Sequence, residues 1–157
     1  MSDAPSILAL DLSLTATGWA AYHRSGLRGA GLVMNPPRLR EGHRLAWIRD
    51  DLTDVTRTYL GGAPGLIVIE DLPTHAKSAG LTGQLHGAVK LAAHDAGWPP
   101  PVLFPAATIK TLATGRGNAD KVQMVVAARD RLDYDGTDDN VADALWLLEL
   151  GLQLTNP

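Results

Sequence analysis

Two stretches of this chain, 7–10 (Ile-Leu-Ala-Leu) and 66–69 (Leu-Ile-Val-Ile), run apolar without a polar break, and each is followed at once by a carboxylate, Asp11 and Glu70. Short unbroken apolar runs predict strands buried on both faces, at the centre of a sheet rather than its edge. Between them Leu45, Ile48, Leu52, Val55 and Tyr59 recur at intervals of three and four, which predicts an amphipathic helix over 39–60. Gly61, Gly62, Pro64 and Gly65 stop it. A helix joining two buried strands is a crossover connection. The strands are therefore expected side by side, ~5 Å apart, with Asp11 and Glu70 close enough to share a cation.

Segments 17–23 and 27–34 read as two more strands around a turn at Arg24, Ser25 and Gly26, a meander halted by Asn35, Pro36 and Pro37. Residues 71–80 are loop-like, 81–96 predict a helix broken by Gly97 and the prolines after it, and 102–104 predict a short strand. A helical turn over 108–113, a Gly-rich loop over 115–118 and a helix over 119–132 follow. The last helix, 139–152, is apolar around most of its girth. The expectation is an α/β fold in a single domain, 1–157: a five-stranded mixed sheet, its first three strands antiparallel, with helices on both faces.

Composition narrows the chemistry. The chain has 157 residues, 45% apolar and 20% charged, as in an ordinary soluble globular protein. Cysteine is absent, so disulfides and thiolate zinc sites are excluded and any metal is held by oxygen or histidine. No apolar stretch approaches a membrane span, and a cytoplasmic location is the expectation. The net charge of −3 conceals an asymmetry: 72–124 holds five basic against two acidic residues, and 125–157 two against seven. A basic segment beside an acidic cluster suits metal-dependent work on nucleic acid, although solvated helix faces give the same pattern.

Asp11, at the end of a central strand, is placed either as a ligand on a rigid rim or as a solvated side chain in a hairpin turn. Ser13, Thr15, Thr17 and Gly18 let the chain fold back beside it. At the start of the last helix Asp139 and Asp143 are four apart and Asn140 and Asp143 three apart, so either pair shares a face. Helix capping accounts for Asp138 and for Asp139, but not for Asp143, a full turn inside among small and apolar residues. Carboxylates gathered at one rim repel unless cations lie between them, and two Mg²⁺ or Mn²⁺ ions ~4 Å apart would serve hydrolysis of a phosphodiester.

Over about 7–148 the chain resembles the RuvC family of Holliday-junction resolvases, within the ribonuclease H-like superfold. The resemblance rests on four motifs in order: an apolar strand ending in Asp11 with Gly18 seven residues on; a second ending in Glu70, followed by Leu-Thr-Gly-Gln-Leu-His-Gly at 81–87; a basic region with Lys110 and Lys121; and Ala-Asp-Ala-Leu at 142–145. It implies a metal-dependent endonuclease that cuts four-way DNA junctions as a homodimer, with catalytic Asp11, Glu70, Asp139, Asp143, Lys110 and Lys121. Nucleic acid would meet Ser13, Thr15, His75, Lys77, Gln84, His86 and Arg116. The family's penultimate acid falls on Asn140, so either Asp139 ligates or Asn140 does so through its amide oxygen; the carboxylate is the better ligand for a hard cation. After Glu70 the chain reads Asp71-Leu72-Pro73, where the bacterial enzymes carry a stacking aromatic residue.

The five histidines have no metal-ligand spacing and are expected at the surface, His75 and His86 along the path of nucleic acid. Arg38, Arg40 and Arg44 read either as phosphate contacts or, the favoured reading, as solvated helix charges. Leu85, Val89 and Ala92 form a stripe suited to the core or to a dimer interface, and Gly83, Gly87 and Ala88 would permit close approach of a second helix. Other readings are a nuclease for forks, flaps or structured RNA, a non-catalytic binding module, and a sugar-kinase or actin-like ATPase, for which the chain is too short.

Overall fold

The computed structural model describes residues 5–24, 26–73 and 79–156. Five strands, β1 (Ile7–Asp11), β2 (Ala16–His23), β3 (Gly26–Met34), β4 (Leu66–Glu70) and β5 (Val102–Phe104), form one sheet in the order β3-β2-β1-β4-β5. β1 pairs antiparallel with β2 and β2 with β3, whereas β1–β4 and β4–β5 are parallel. The ends of β1, β3, β4 and β5 and the start of β2 thus share one rim. Five helices cover the sheet: α1 (Glu41–Leu60), α2 (Ala79–Asp95), α3 (Ala106–Thr114), α4 (Lys121–Arg131) and α5 (Asp139–Thr155). The match to expectation is close; α3 is a full helix rather than a turn, closed by Gly115 at a left-handed φ of 77°.

Strand alternation decides which face each side chain meets. Leu8, Leu10, Ile67 and Ile69 point to one face and pack with Ile48 and Leu52 of α1 and Leu85, Val89 and Ala93 of α2. Ile7, Ala9, Ala20 and Val68 point to the other and pack with α5 and with Ile109 and Met124 of α3 and α4. Asp11 continues the alternation of Ile7 and Ala9, Glu70 that of Val68, and Gly18 that of Ala20. All three therefore face α5. Burial of Trp146, Leu147 and Leu145, each exposed by no more than 5%, at roughly 1.5–3 kcal/mol per large apolar side chain, holds α5 on the sheet.

Of the stripe on α2, Leu85 and Val89 are core and, with Ala93, face α1 and the sheet, whereas Ala92 is half-buried. The open face of the helix carries Leu81, Gln84, Gly87 and Leu91 instead. Among the described residues no helix is long and apolar enough to cross a membrane.

Candidate active site

In the β1–β2 ladder Asp11 stands opposite Gly18, and the parallel register of Leu10 with Ile69 sets Glu70 beside Asp11. The first turn of α5 lies directly over this row. A Cβ on Gly18 would overlap the backbone carbonyl of Asn140 and come within 3.1 Å of Val141 N, so glycine is what lets the helix sit so low. Asp138 caps the helix, its Oδ1 accepting from Asn140 N at 2.8 Å and Val141 N at 3.1 Å. Capping thus falls to Asp138, and neither Asp139 nor Asp143 serves as the cap.

The carboxylates feel one another. Burial raises Asp11 well above the ordinary carboxylate range, and the negative charges of Asp143, Glu70 and Asp139 raise it further. Asp143 is pushed up to about 7, by burial first and then by Glu70 and Asp139. Burial also raises Glu70, with the ammonium of Lys110 pulling the other way. Lys110, on α3, and Lys121, the first residue of α4, supply the nearby positive charge. Lys121 Nζ lies 3.1 Å from Asp139 Oδ2, and this partner raises its own pKa. A capping box, Gln123 N to Asp120 Oδ1 at 2.8 Å and Asp120 N to Gln123 Oε1 at 2.9 Å, fixes the turn that presents Lys121.

The donor set suits a hard divalent cation. Asp143 Oδ1 is buried and has no hydrogen-bond partner, a costly arrangement that a cation would relieve. Four acidic side chains offer only oxygen, the ligand type that Mg²⁺ and Mn²⁺ prefer. Among the described residues no three His, Asp or Glu side chains stand together as a ready-made cage, where the sequence leads one to expect the acids gathered; Asp139 is turned toward Lys121 instead.

The remaining expected contacts divide. Ser13 and Thr15 form the β1–β2 turn, Ser13 Oγ lying 3.1 Å from Thr15 Oγ1, while the buried Thr17 donates to Ser13 O at 2.8 Å and braces it. Arg116 is exposed on the α3–α4 turn, and Gln84 is exposed on α2. His75 and Lys77 lie outside the described residues. His86 corrects the expectation of a surface contact: it is only 4% exposed. Its position three residues before Val89 and seven before Ala93 puts it on the inner side of the helix.

Two positioning residues escaped the sequence. Tyr134 Oη accepts from Asp138 N at 3.0 Å and donates to Asp138 O at 3.1 Å, pinning the entry to α5. Arg131 donates to Leu112 O at 3.1 Å and Ala113 O at 3.0 Å and stacks over Trp146 at 4.8 Å, tying α3, α4 and α5 together. For Tyr134 the one available signal was its place four residues before the capping Asp138.

No protein-family model matches the chain. It is 32% identical over 148 residues to the crossover junction endodeoxyribonuclease RuvC of Endomicrobium trichonymphae, covering 88% of this chain and 76% of that protein. To the RuvC of Synechococcus sp. (strain WH7803) it is 28% identical over 146 residues, covering 88% and 92%. Among solved structures, T. thermophilus RuvC in complex with Holliday junction substrate superposes with a TM-score of 0.74 at 22% identity, over 91% of this chain and 90% of that one. The yeast mitochondrial Holliday junction resolvase Ydc2 gives 0.66 at 11% identity, over 98% and 80%. The fold is therefore the ribonuclease H-like one of these resolvases. With a relative above 30% identity aligned over most of both chains and acids at the ends of two paired central strands, the chain belongs to the RuvC family of crossover junction endodeoxyribonucleases.

Proposed function

We propose that this chain resolves four-way DNA junctions by hydrolysing phosphodiester bonds, with divalent metal ions held by Asp11, Glu70, Asp139 and Asp143. The observation that carries the reading is the buried, unpartnered Oδ1 of Asp143 beside Asp11 and Glu70 at one sheet rim, in a chain of this family. Mg²⁺ or Mn²⁺ ions, two per site, would supply activation of water and neutralisation of charge at the leaving oxygen. Asp11 and Glu70 are held by paired strands, which fixes the direction from which the acids meet a phosphate. Asp139 rather than Asn140 is the fourth ligand, because a carboxylate holds a hard cation better than an amide oxygen does. Lys110 and Lys121 meet the phosphate flanking the cut, Lys121 exchanging its bond to Asp139 for one to DNA.

A junction has two symmetry-related strands to cut, so paired incision calls for a two-fold dimer. The open face of α2 suits that role. Leu91 is 62% exposed, and Gly87 has free space above it. A shallow groove between α1 and α2, with Leu45, Ala46 and Ala88 in its wall, continues the face. Acting on cellular DNA, the enzyme works in the cytoplasm.

A nuclease for forks or flaps is the second reading, favoured by Asp71-Leu72-Pro73 where a stacking aromatic residue would follow Glu70. One gel assay decides between them: four-way junction, fork, flap and linear duplex incubated with Mg²⁺ or Mn²⁺. Symmetric paired nicks in the junction are expected; preferential cutting of fork or flap overturns the junction reading.

A further inference from the structure

The rim that carries the carboxylates does not end at them. β3 finishes at Met34, paired with Ala16, and Leu32 is level with Gly18 and hence with Asp11. The segment after β3 therefore emerges on the same rim, two strand spacings or ~10 Å from β1, on the side away from Lys110 and Lys121. It carries Arg38, Arg40 and Arg44. The segment is built rather than loose. Asn35 N donates to Thr15 O at 3.2 Å, Trp47 Nε1 to Met34 O at 3.1 Å and Leu39 N to Pro36 O at 3.0 Å. Two of the three guanidinium groups are set by backbone carbonyls, Arg40 Nη1 on Pro37 O at 2.9 Å, and Arg44 Nε and Nη2 on Leu39 O at 3.4 and 3.2 Å.

Charge separates these arginines from the rest of the helix that follows. Arg49 lies 2.8 Å from Asp50 and Arg57 lies 3.2 Å from Asp54. Among the described residues none of Arg38, Arg40 and Arg44 is in an ion pair. Three guanidiniums with spare N–H donors, none in an ion pair even with the adjacent Glu41, on the rim that holds the acids, match a run of phosphates. Charges along one DNA strand recur every ~3.4 Å of helix axis, so the ~10 Å between the ends of β1 and β3 spans about three nucleotides.

We propose that Arg38, Arg40 and Arg44 form a second phosphate track that grips the DNA backbone on the β3 side of the carboxylates, opposite Lys110, Lys121 and Arg116. This rests on the reading of the chain as a junction nuclease. The track is indifferent to sequence, because phosphate contacts position DNA without reading bases. It orients the strand so that the scissile phosphate lies over Asp11.

Its test is the salt dependence of binding, read by fluorescence anisotropy of a labelled four-way junction between 50 and 300 mM KCl in an Asp11→Asn background. Each lost phosphate contact removes about 0.9 from the slope of log affinity against log salt. The triple change Arg38→Gln, Arg40→Gln, Arg44→Gln is expected to lower the slope by about 2 to 3 and weaken binding roughly 100-fold near physiological salt. Because Arg44 is half-buried, the double change Arg38→Gln, Arg40→Gln provides a surface-only version, expected to lower the slope by about 2. Lysine at the same positions should keep most of the slope, and Arg57→Gln, at the far end of α1, all of it. A slope unchanged in both glutamine variants while the parent binds overturns the track; failure of the parent itself to bind the junction overturns instead the functional reading beneath it.

Discussion

Gly18 lies against the backbone carbonyl of Asn140, where the sheet that holds Asp11 and the helix that holds Asp143 meet backbone to backbone. The two acids come from opposite ends of the chain, and this contact sets the distance between them. Gly18→Ala would force the Asn140 carbonyl away, at a cost of about 1–3 kcal/mol or more. Urea unfolding should register that loss, and cleavage should fall further than junction binding because Asp139 and Asp143 move with the helix. Unchanged cleavage would show that the low seating of α5 does not matter for the chemistry.

Asp11→Asn, Glu70→Gln and Asp143→Asn should each lower the cleavage rate by more than about 100-fold, with junction affinity changed far less, since other residues hold the phosphates. Cleavage and anisotropy assays run side by side on the same preparations separate the two effects. Activity near the parent level in any one variant removes that residue from the metal site.

The raised acids also set a pH dependence for the metal-free protein. Asp143 has a folded pKa of about 7 against an ordinary 3.8, so between these values the folded state binds more protons than the unfolded one, and stability falls as pH rises through that window. The contribution is on the order of 4 kcal/mol at most. In EDTA, Asp143→Asn should therefore melt higher than the parent at pH 8, and the gap should shrink toward pH 5. Adding Mg²⁺ at pH 8 should raise the parent and not the variant. A gap that is constant with pH, or that widens on acidification, contradicts the burial of this carboxylate.

Arg131 is predicted to matter through α3. Arg131→Met keeps much of the packing on Trp146 but leaves the Leu112 and Ala113 carbonyls without their donor, at a cost of about 1–3 kcal/mol. Arg131→Lys, which lacks the fork, should recover only part. Thermal melts of the three proteins check this, and full recovery by lysine would mean that charge alone suffices.

For the dimer, Leu91→Glu places a charge at the centre of the open face of α2 and should give a monomer by light scattering at micromolar concentration, with single nicks replacing paired incisions in the junction. A parent protein that is monomeric both alone and on junction DNA would rule out this assembly.

What the sequence determined by itself was the frame of the site. A short unbroken apolar run bounded by turn signals predicts a strand buried on both faces, and a helical crossover between two such runs leaves few topologies, so Asp11 and Glu70 were expected side by side. Helical periodicity likewise put Asp143 a turn inside α5. These are local rules, written in residues near one another in the chain. Rotation and docking of the helices are not local. That Leu85, Val89 and His86 turn inward while Leu91 stays open, that Asp139 meets Lys121, and that Arg38, Arg40 and Arg44 share a rim with the acids depend on how distant surfaces fit. Gly18 shows the difference most plainly: the sequence marks it as a small residue near a turn, seven after Asp11 in the first motif, and only the close approach of α5, more than a hundred residues later, gives the physical reason that the absence of its Cβ is a condition of the site.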